Sequence, residues 1–103
     1  MGEMAPDEMA KHAGEAAEFL KMLANPNRLM ILCALSSGEL TVGGLNERIP
    51  LSQSALSQHL AALRDANLVA TRREAQAIYY RLQGTRAMQV VAVLQQIFCS
   101  RPK

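Results

Sequence analysis

The chain has 103 residues, half of them hydrophobic, and a formal net charge of +2 at pH 7. This length favours one compact domain and is too short for two. The longest apolar run, residues 29–35, is well short of the roughly 20 residues that cross a bilayer, and the amino terminus lacks the basic start and apolar stretch of a secretory signal. We therefore expect a cytoplasmic protein that makes no membrane contact.

The charge is distributed unevenly along the chain. Residues 1–20 contain five acidic side chains and one lysine, a net charge of −4, which leaves +6 on the remaining 83 residues of a chain whose total is +2. A basic body suits a polyanionic partner. A mixture of surface charges that only keeps the protein in solution would explain the same distribution.

We predict a flexible leader over residues 1–7 and a single domain over residues 8–103. Asp7 is a candidate N-cap for a first helix that continues to Leu23. Asn25 is predicted to cap a second helix, with Pro26 at its first position, where the missing N–H has no cost.

The second helix is predicted to be apolar on most of its circumference and to end near Gly38, a candidate left-handed cap. A short third helix follows from Thr41, its N-cap, to about Arg48, and Pro50 ends it. Ser52 is then placed to cap a fourth helix.

The fourth helix has one apolar stripe and one polar face. Leucines spaced four and three residues apart define the stripe: Leu56, Leu60 and Leu63. At 100° per residue, the opposite face carries small or neutral polar residues: Ser54, Ser57, Gln58 and Ala61, with Gln53 exposed in the first turn.

After this helix the hydrophobic period changes to that of β-strands. Residues 68–73 and 77–82 are predicted to form a two-stranded hairpin joined by residues 74–76. A last helix, residues 85–99, carries apolar residues on several faces, so it needs more cover than this chain supplies. We expect a second copy to provide that cover through the first and last helices; a core helix in a monomer is the alternative.

Together these elements predict a mainly α fold with a two-stranded hairpin (α+β), in the order α-α-α-α-β-β-α: a winged helix-turn-helix. Serine and glutamine match the donors and acceptors of base edges in the major groove. Attraction to phosphates is expected from Arg64 at the end of the helix and from the hairpin arginines Arg72, Arg73 and Arg81. An ordinary solvated helix face is the competing explanation. His59 is expected to be a packing residue, and His12 is assigned no role. The candidate DNA-binding residues are Thr41, Ser52, Gln53, Ser54, Ser57, Gln58, Arg64, Arg72, Arg73 and Gln76.

Four segments resemble the ArsR/SmtB family of dimeric winged-helix repressors over roughly residues 15–99. They are "LANPNRLMILCAL", "GELTVGGL", "LSQSALSQHLAALRDANLV" and "TRREAQAIYYRL". The resemblance implies a homodimer formed through the first and last helices, a recognition helix at residues 52–64, and a double-stranded operator with an inverted repeat.

Many proteins of this family sense metals, and the sequence departs from their sites. Thr41 and Gly43 stand where a common thiolate motif has cysteines, and residues 82–96 contain no His, Asp or Glu. These are the side chains that bind transition metals. We therefore expect neither a metal nor another cofactor.

The two cysteines, Cys33 and Cys99, are expected to be reduced by default. Their placement, and "REAQ" in the hairpin, resemble the BigR, YgaV and HlyU branch of the family, which implies a thiol pair that responds to reactive sulfur species or oxidants. The last helix is expected to pack beside the second, which would let the thiols meet although they are 66 positions apart. Cys33 also lies in an apolar run, where cysteine is often only a small hydrophobic residue.

The sequence therefore predicts a DNA-binding transcriptional regulator whose operator affinity depends on the state of Cys33 and Cys99. Repressor and anti-repressor remain open, as do persulfide and peroxide, and a disulfide and a longer polysulfide bridge. The alternatives are a regulator without thiol sensing and a dimeric interaction module that does not read DNA. A thiol enzyme is disfavoured because no histidine is near either cysteine in sequence.

Overall fold

The computed structural model of the chain describes residues 6–99. Five helices and three strands follow one another as α1 (Pro6–Leu23), α2 (Pro26–Leu35), β1 (Leu40–Thr41), α3 (Val42–Arg48), α4 (Gln53–Asp65), β2 (Val69–Glu74), β3 (Ala77–Leu82) and α5 (Arg86–Cys99). All seven predicted elements are present. The two-residue strand β1 was not predicted because it is too short to show a period.

The start of α1 differs from the prediction. The helix begins at Pro6, so Asp7 lies within its first turn instead of capping it. Proline has a fixed φ that suits the first helical position. Most of the predicted leader, residues 1–5, lies outside the described residues.

Both ends of α2 are fixed by side chains. Asn25 Oδ1 accepts hydrogen bonds from the backbone N–H groups of Asn27 and Arg28 at 2.9 and 3.1 Å, which confirms the predicted cap. The helix ends near Gly38, as predicted, but its C-cap is Ser36, whose hydroxyl donates to the Cys33 carbonyl at 2.6 Å. Gly38 has a φ of 142°, but it lies two residues beyond that cap.

The turn between α3 and α4 contains four residues, 49–52, a length typical of a helix-turn-helix. Ile49 is extended (φ −123°, ψ 116°), as the residue before Pro50 must be. The Asn46 amide donates to the carbonyls of Ile49 and Leu51 at 3.3 and 2.7 Å. These bonds fix where α4 leaves the turn, and Ser52 Oγ then caps it by accepting from Ala55 N at 3.1 Å.

The core joins α2, α3 and α4. The predicted stripe of α4 is confirmed, since Leu56, Leu60 and Leu63 are each no more than 1% exposed. They pack in one cluster with apolar residues of the two preceding helices and their loop: Ile31, Leu32, Leu45 and Ile49. Each such side chain contributes about 1.5–3 kcal/mol through burial, so this cluster fixes the orientation of α4.

A tight turn connects α4 to the hairpin. Asn67 has a φ of 62°, its N–H donates to the Arg64 carbonyl at 3.0 Å, and Leu68 N–H donates to the Leu63 carbonyl at 2.9 Å. This bonding pattern is a Schellman motif, in which an asparagine tolerates the left-handed position. Leu63 and Leu68, the two positions where an apolar pair accompanies the motif, are both buried in the core cluster.

The sheet has the order β1-β3-β2, and both pairings are antiparallel. The predicted loop of residues 74–76 was one residue too long, because Glu74 pairs with Ala77 in the register. The turn therefore contains only Ala75 and Gln76, and Ala75 takes a φ of 56°. The missing Asn-Gly signal concealed this tight turn.

The terminal helices are poorly covered. In α1, residues 7–18 are all exposed, and the helix reaches the core only at its carboxyl-terminal end, where Leu23 is buried and Phe19 and Met22 pack against the core. In α5 only Ala87 and Val91 are buried, whereas Ile97 and Phe98 are 64% and 78% exposed. The apolar residues predicted on several faces of this helix are thus mostly open to solvent in the protomer. No helix among the described residues is long and apolar enough to cross a membrane.

Candidate nucleic-acid interface and thiol groove

The polar face of α4 is open to solvent. Ser54, Ser57, Gln58 and Ala61 are all exposed, on the side opposite the buried leucines, and Gln53 is exposed in the first turn. Arg64, also exposed, lies in the last turn. Within residues 6–99 none of these polar side chains forms a hydrogen bond with the protein. Their donors and acceptors are therefore available to an external partner.

Two candidate DNA-binding residues, Thr41 and Ser52, also cap helices. Thr41 is half-buried and accepts from Gly44 N at 3.1 Å as the cap of α3, which confirms that predicted cap. Ser52 caps α4 but remains exposed. A hydroxyl that accepts one bond can still donate another, so both retain a donor for a second partner.

Arg72 on β2 is held by two carboxylates. Its Nε donates to both carboxylate oxygens of Glu39 at 2.8 and 3.0 Å, and its Nη1 donates to Glu74 at 2.7 Å. The guanidinium also lies over the Tyr79 ring, 4.6 Å from its centroid. The hydrogen bonds to Glu74 and then to Glu39 raise the pKa of Arg72. The charge of Arg72 is therefore matched by two carboxylates of the protein itself.

The other candidates of the hairpin remain exposed. Arg73 follows Arg72 on the opposite side of β2, Gln76 lies in the turn, and Arg81 is exposed on β3. The three arginines therefore lie in one hairpin, β2 and β3, which is the wing of the fold, but they differ in their surroundings. Arg73 and Arg81 present charge to solvent, whereas Arg72 joins the wing to the segment before β1.

A polar contact links α2 to the recognition helix. Arg28 Nε donates to His59 Nδ1 at 3.3 Å, and Arg28 Nη1 donates to the Met22 carbonyl at 3.3 Å. The structure thus places His59 as a packing residue between helices, as predicted. His12 is exposed, with its Nδ1 4.0 Å from Glu15.

The two cysteines line one groove between α2 and α5. Cys33 is half-buried, Cys99 is exposed, and both are free thiols. The Gln95 amide donates to Cys33 Sγ at 3.0 Å. The cavity of about 250 Å³ is otherwise apolar, and its lining comprises Leu29, Met30, Cys33, Val91, Leu94, Gln95, Phe98 and Cys99. The predicted packing of the last helix beside the second is confirmed, and it places both thiols in this groove.

Three residues of these surfaces were missed by the sequence reasoning: Glu39, Asn46 and Gln95. Each acts through a contact with a partner that local periodicity does not reveal, and Glu39 and Gln95 reach across 33 and 62 positions. Asn46, five residues from Leu51, could have been suspected as a residue that stabilises the turn. In the described part of the chain, no three His, Cys, Asp or Glu side chains converge on a possible metal position.

A fixed four-residue turn, an exposed polar helix and an adjoining basic hairpin define a winged helix-turn-helix protein that binds DNA. Comparisons with known proteins agree. A profile of the arsR family of bacterial regulatory proteins matches residues 25–71. The transcriptional activator HlyU of Vibrio cholerae is 49% identical over 92 residues, which cover 89% of this chain and 85% of that protein.

Two further relatives have different descriptions. The biofilm growth-associated repressor of Xylella fastidiosa is 44% identical over 100 residues, covering 97% of this chain and 88% of that protein. A homodimeric winged helix-turn-helix DNA-binding domain from Mycobacterium bovis has a TM-score of 0.75 and 32% identity over 94% of this chain and 89% of its own.

The structure described as reduced HlyU from Vibrio cholerae has a TM-score of 0.84 and 48% identity, over 90% of this chain and 98% of that one. The protein belongs to the arsR family of bacterial regulatory proteins. It is a DNA-binding transcriptional regulator, and its relatives regulate transcription rather than catalyse reactions.

Proposed function

We propose that this regulator binds an inverted-repeat operator as a homodimer and that a bridge between Cys33 and Cys99 lowers its affinity for that operator. The observation that carries the proposal is the placement of both thiols in one groove between α2 and α5. Reactive sulfur species or oxidants are the proposed inducers. The reduced form is the form that binds DNA.

The dimer is supported by the apolar surface that one protomer leaves open. Among the residues that the structure describes, seven of the eight large exposed hydrophobic side chains lie on α1, α2 or α5: Met9, Leu20, Met30, Met88, Val93, Ile97 and Phe98. An apolar surface concentrated in this way marks an interface. A second copy of this chain is the proposed occupant, as in the homodimeric relative from Mycobacterium bovis.

DNA reading is assigned to the exposed residues of α4 and to the hairpin. Gln53, Ser54, Ser57 and Gln58 are proposed to contact base edges. Thr41, Ser52, Arg64, Arg72, Arg73 and Gln76 are proposed to position the protein on the phosphates and the adjoining groove. Because Arg72 is paired with Glu39 and Glu74, its contribution is expected to be smaller than that of Arg73.

The groove and the recognition helix share α2. Cys33 lines the groove, and Arg28, five positions earlier on the same helix, donates to His59 of α4. A shift of α5 against α2 would therefore act on an element that packs directly on the recognition helix. A coupling of 1–3 kcal/mol between the sites corresponds to a change in affinity of about 5- to 150-fold.

The test begins with selection of an operator from a random duplex library by the fully reduced protein. The selected duplex is then titrated with reduced, peroxide-treated and persulfide-treated protein, and we expect weaker binding after at least one treatment. Cys33→Ser and Cys99→Ser should each keep the reduced affinity and lose the response. Equal affinities of all three forms of the wild-type protein would refute the switch, and selection of no sequence would refute sequence-specific reading.

A further inference from the structure

The Gln95 side chain contacts one of the two thiols specifically. Its Nε2 donates to Cys33 Sγ at 3.0 Å, across 62 positions of sequence. Gln95 and Cys99 lie four residues apart on α5, so they are neighbours on one face of that helix. Cys33, the Gln95 amide and Cys99 therefore meet at the same groove.

The rest of the groove offers little to a charged sulfur. Apart from the thiols, Gln95 contributes the one polar side chain among the described lining residues; the others are aliphatic, thioether or aromatic. A sulfur that attacks an electrophile must carry negative charge, and an apolar environment makes an unsupported charge costly. A hydrogen bond to a charged group contributes about 1.5–3 kcal/mol.

We propose that Gln95 is a positioning residue that makes Cys33 the sulfur that reacts first with the inducer. This inference rests on the proposed thiol switch. The inducer is an organic hydropersulfide, R–S–SH, whose own S–S bond supplies the oxidising equivalents. Gln95 holds Cys33 Sγ in the groove and stabilises its negative charge during the attack.

The reaction has two steps that balance. The Cys33 thiolate attacks the terminal sulfur of R–S–SH; a new S–S bond forms, the inducer's S–S bond breaks, and R–S⁻ leaves with the electron pair. The Cys99 thiolate then attacks Cys33 Sγ, which forms the disulfide and releases HS⁻. Two thiols and one hydropersulfide thus give one disulfide, one R–SH and one H₂S, because the protons that the two thiols release are taken up by R–S⁻ and HS⁻.

The experiment compares Gln95→Leu with Gln96→Leu in the full chain. Both glutamines are exposed on α5, but only Gln95 donates to Cys33. Reduced protein receives a short pulse of a small organic hydropersulfide and is then blocked, and mass spectrometry of the two cysteine peptides gives the initial rate at each sulfur. In the wild-type protein, modification should begin at Cys33.

Gln95→Leu should slow modification of Cys33 by about tenfold, the equivalent of 1.4 kcal/mol, and leave the rate at Cys99 unchanged. Gln96→Leu should change neither rate. Gln95→Lys, which restores a donor in a different shape, should recover much of the Cys33 rate. Thermal unfolding of each variant checks that the fold is retained, and the ratio of the two rates is insensitive to a general loss of stability.

The outcomes separate this inference from the switch itself. If Gln95→Leu and the wild-type protein modify Cys33 at the same rate, or if Cys99 reacts first, the role of Gln95 is refuted even where bridging still weakens operator binding. If operator affinity is the same with and without the bridge, the switch is refuted, although Gln95 can still determine which cysteine is modified first.

Discussion

The two halves of the molecule differ in how fully a single protomer buries their apolar side chains. In the half that contains α3 and α4, Leu45, Ile49 and Leu60 are at most 1% exposed and both helices have side-chain caps. In the half that contains α1 and α5, Leu20 and Phe98 are 55% and 78% exposed. The half that contains α3 and α4 is therefore fully packed in a single protomer, and we call it the closed half. The half that contains α1, α5 and Cys99 exposes large apolar side chains, and we call it the open half.

This difference has a consequence for regulation. A rigid, fully packed unit holds the residues that are proposed to read DNA in fixed positions. The groove between α2 and α5 lies at the open half; its lining is mostly apolar, and only Ala87 and Val91 of α5 are buried in the protomer. In the proposed switch, a covalent bridge there would act on α5 while the packed core of α2, α3 and α4 stays intact.

The largest effect of a substitution is expected in the closed half, where the apolar side chains are buried. Leu60→Ala removes a side chain that is 1% exposed and leaves a cavity under the recognition helix. We expect the free energy of unfolding to fall by about 2–5 kcal/mol, measured by urea denaturation at a fixed protein concentration. Ala61→Ser, at the exposed neighbouring position, serves as the control and should change stability by less than about 0.5 kcal/mol. Equal effects of the two variants would contradict the buried stripe.

The next effect concerns the open half. Phe98 is 78% exposed in the protomer, so Phe98→Ala should leave the fold of one chain intact. If this side chain is an anchor of the proposed dimer, the loss is about 2 kcal/mol of association free energy, roughly a 30-fold weaker dimer. Sedimentation velocity over a concentration series measures it. An unchanged association constant would place the interface elsewhere, and Gln96→Ala on the same helix is the matched control.

A third prediction concerns the exposed polar face of α4, which is proposed to contact base edges. Gln58 is exposed on α4 and free of intramolecular bonds within the described residues. Gln58→Ala should keep the stability of the protein and weaken binding to the selected operator by about 1–3 kcal/mol, while binding to unrelated duplex changes little. A loss that is the same for all duplexes would assign Gln58 to the phosphates instead of the bases.

The smallest effect is expected in the wing. Glu39 accepts two hydrogen bonds from Arg72, so Glu39→Gln removes a negative charge near the hairpin and releases part of the guanidinium. Binding to duplex DNA should become slightly tighter and its dependence on salt steeper by at most about one counterion. The logarithmic salt slope of the two proteins measures this. A shallower slope would mean that Glu39 instead holds Arg72 in a DNA-binding orientation.

Local sequence signals determined much of this protein. Asn25, Thr41 and Ser52 each supply a short polar side chain directly before a helix, and the structure shows all three as caps. The leucine spacing of α4 also set which side of that helix is buried and, by rotation, which side is exposed. Caps and periodicity depend on residues within a turn or two of each other, so they can be read from the chain without knowing the fold.

Only the tertiary structure decided the contacts that give individual side chains their roles. Three hydrogen bonds join residues that are far apart in sequence: Glu39 with Arg72 across 33 positions, Arg28 with His59 across 31, and Gln95 with Cys33 across 62. Strand β1 exists because β3 pairs with it, and its two residues carry no pattern of their own. These features arise when helices and strands that are distant in sequence pack together, and no local preference specifies which side chains then meet.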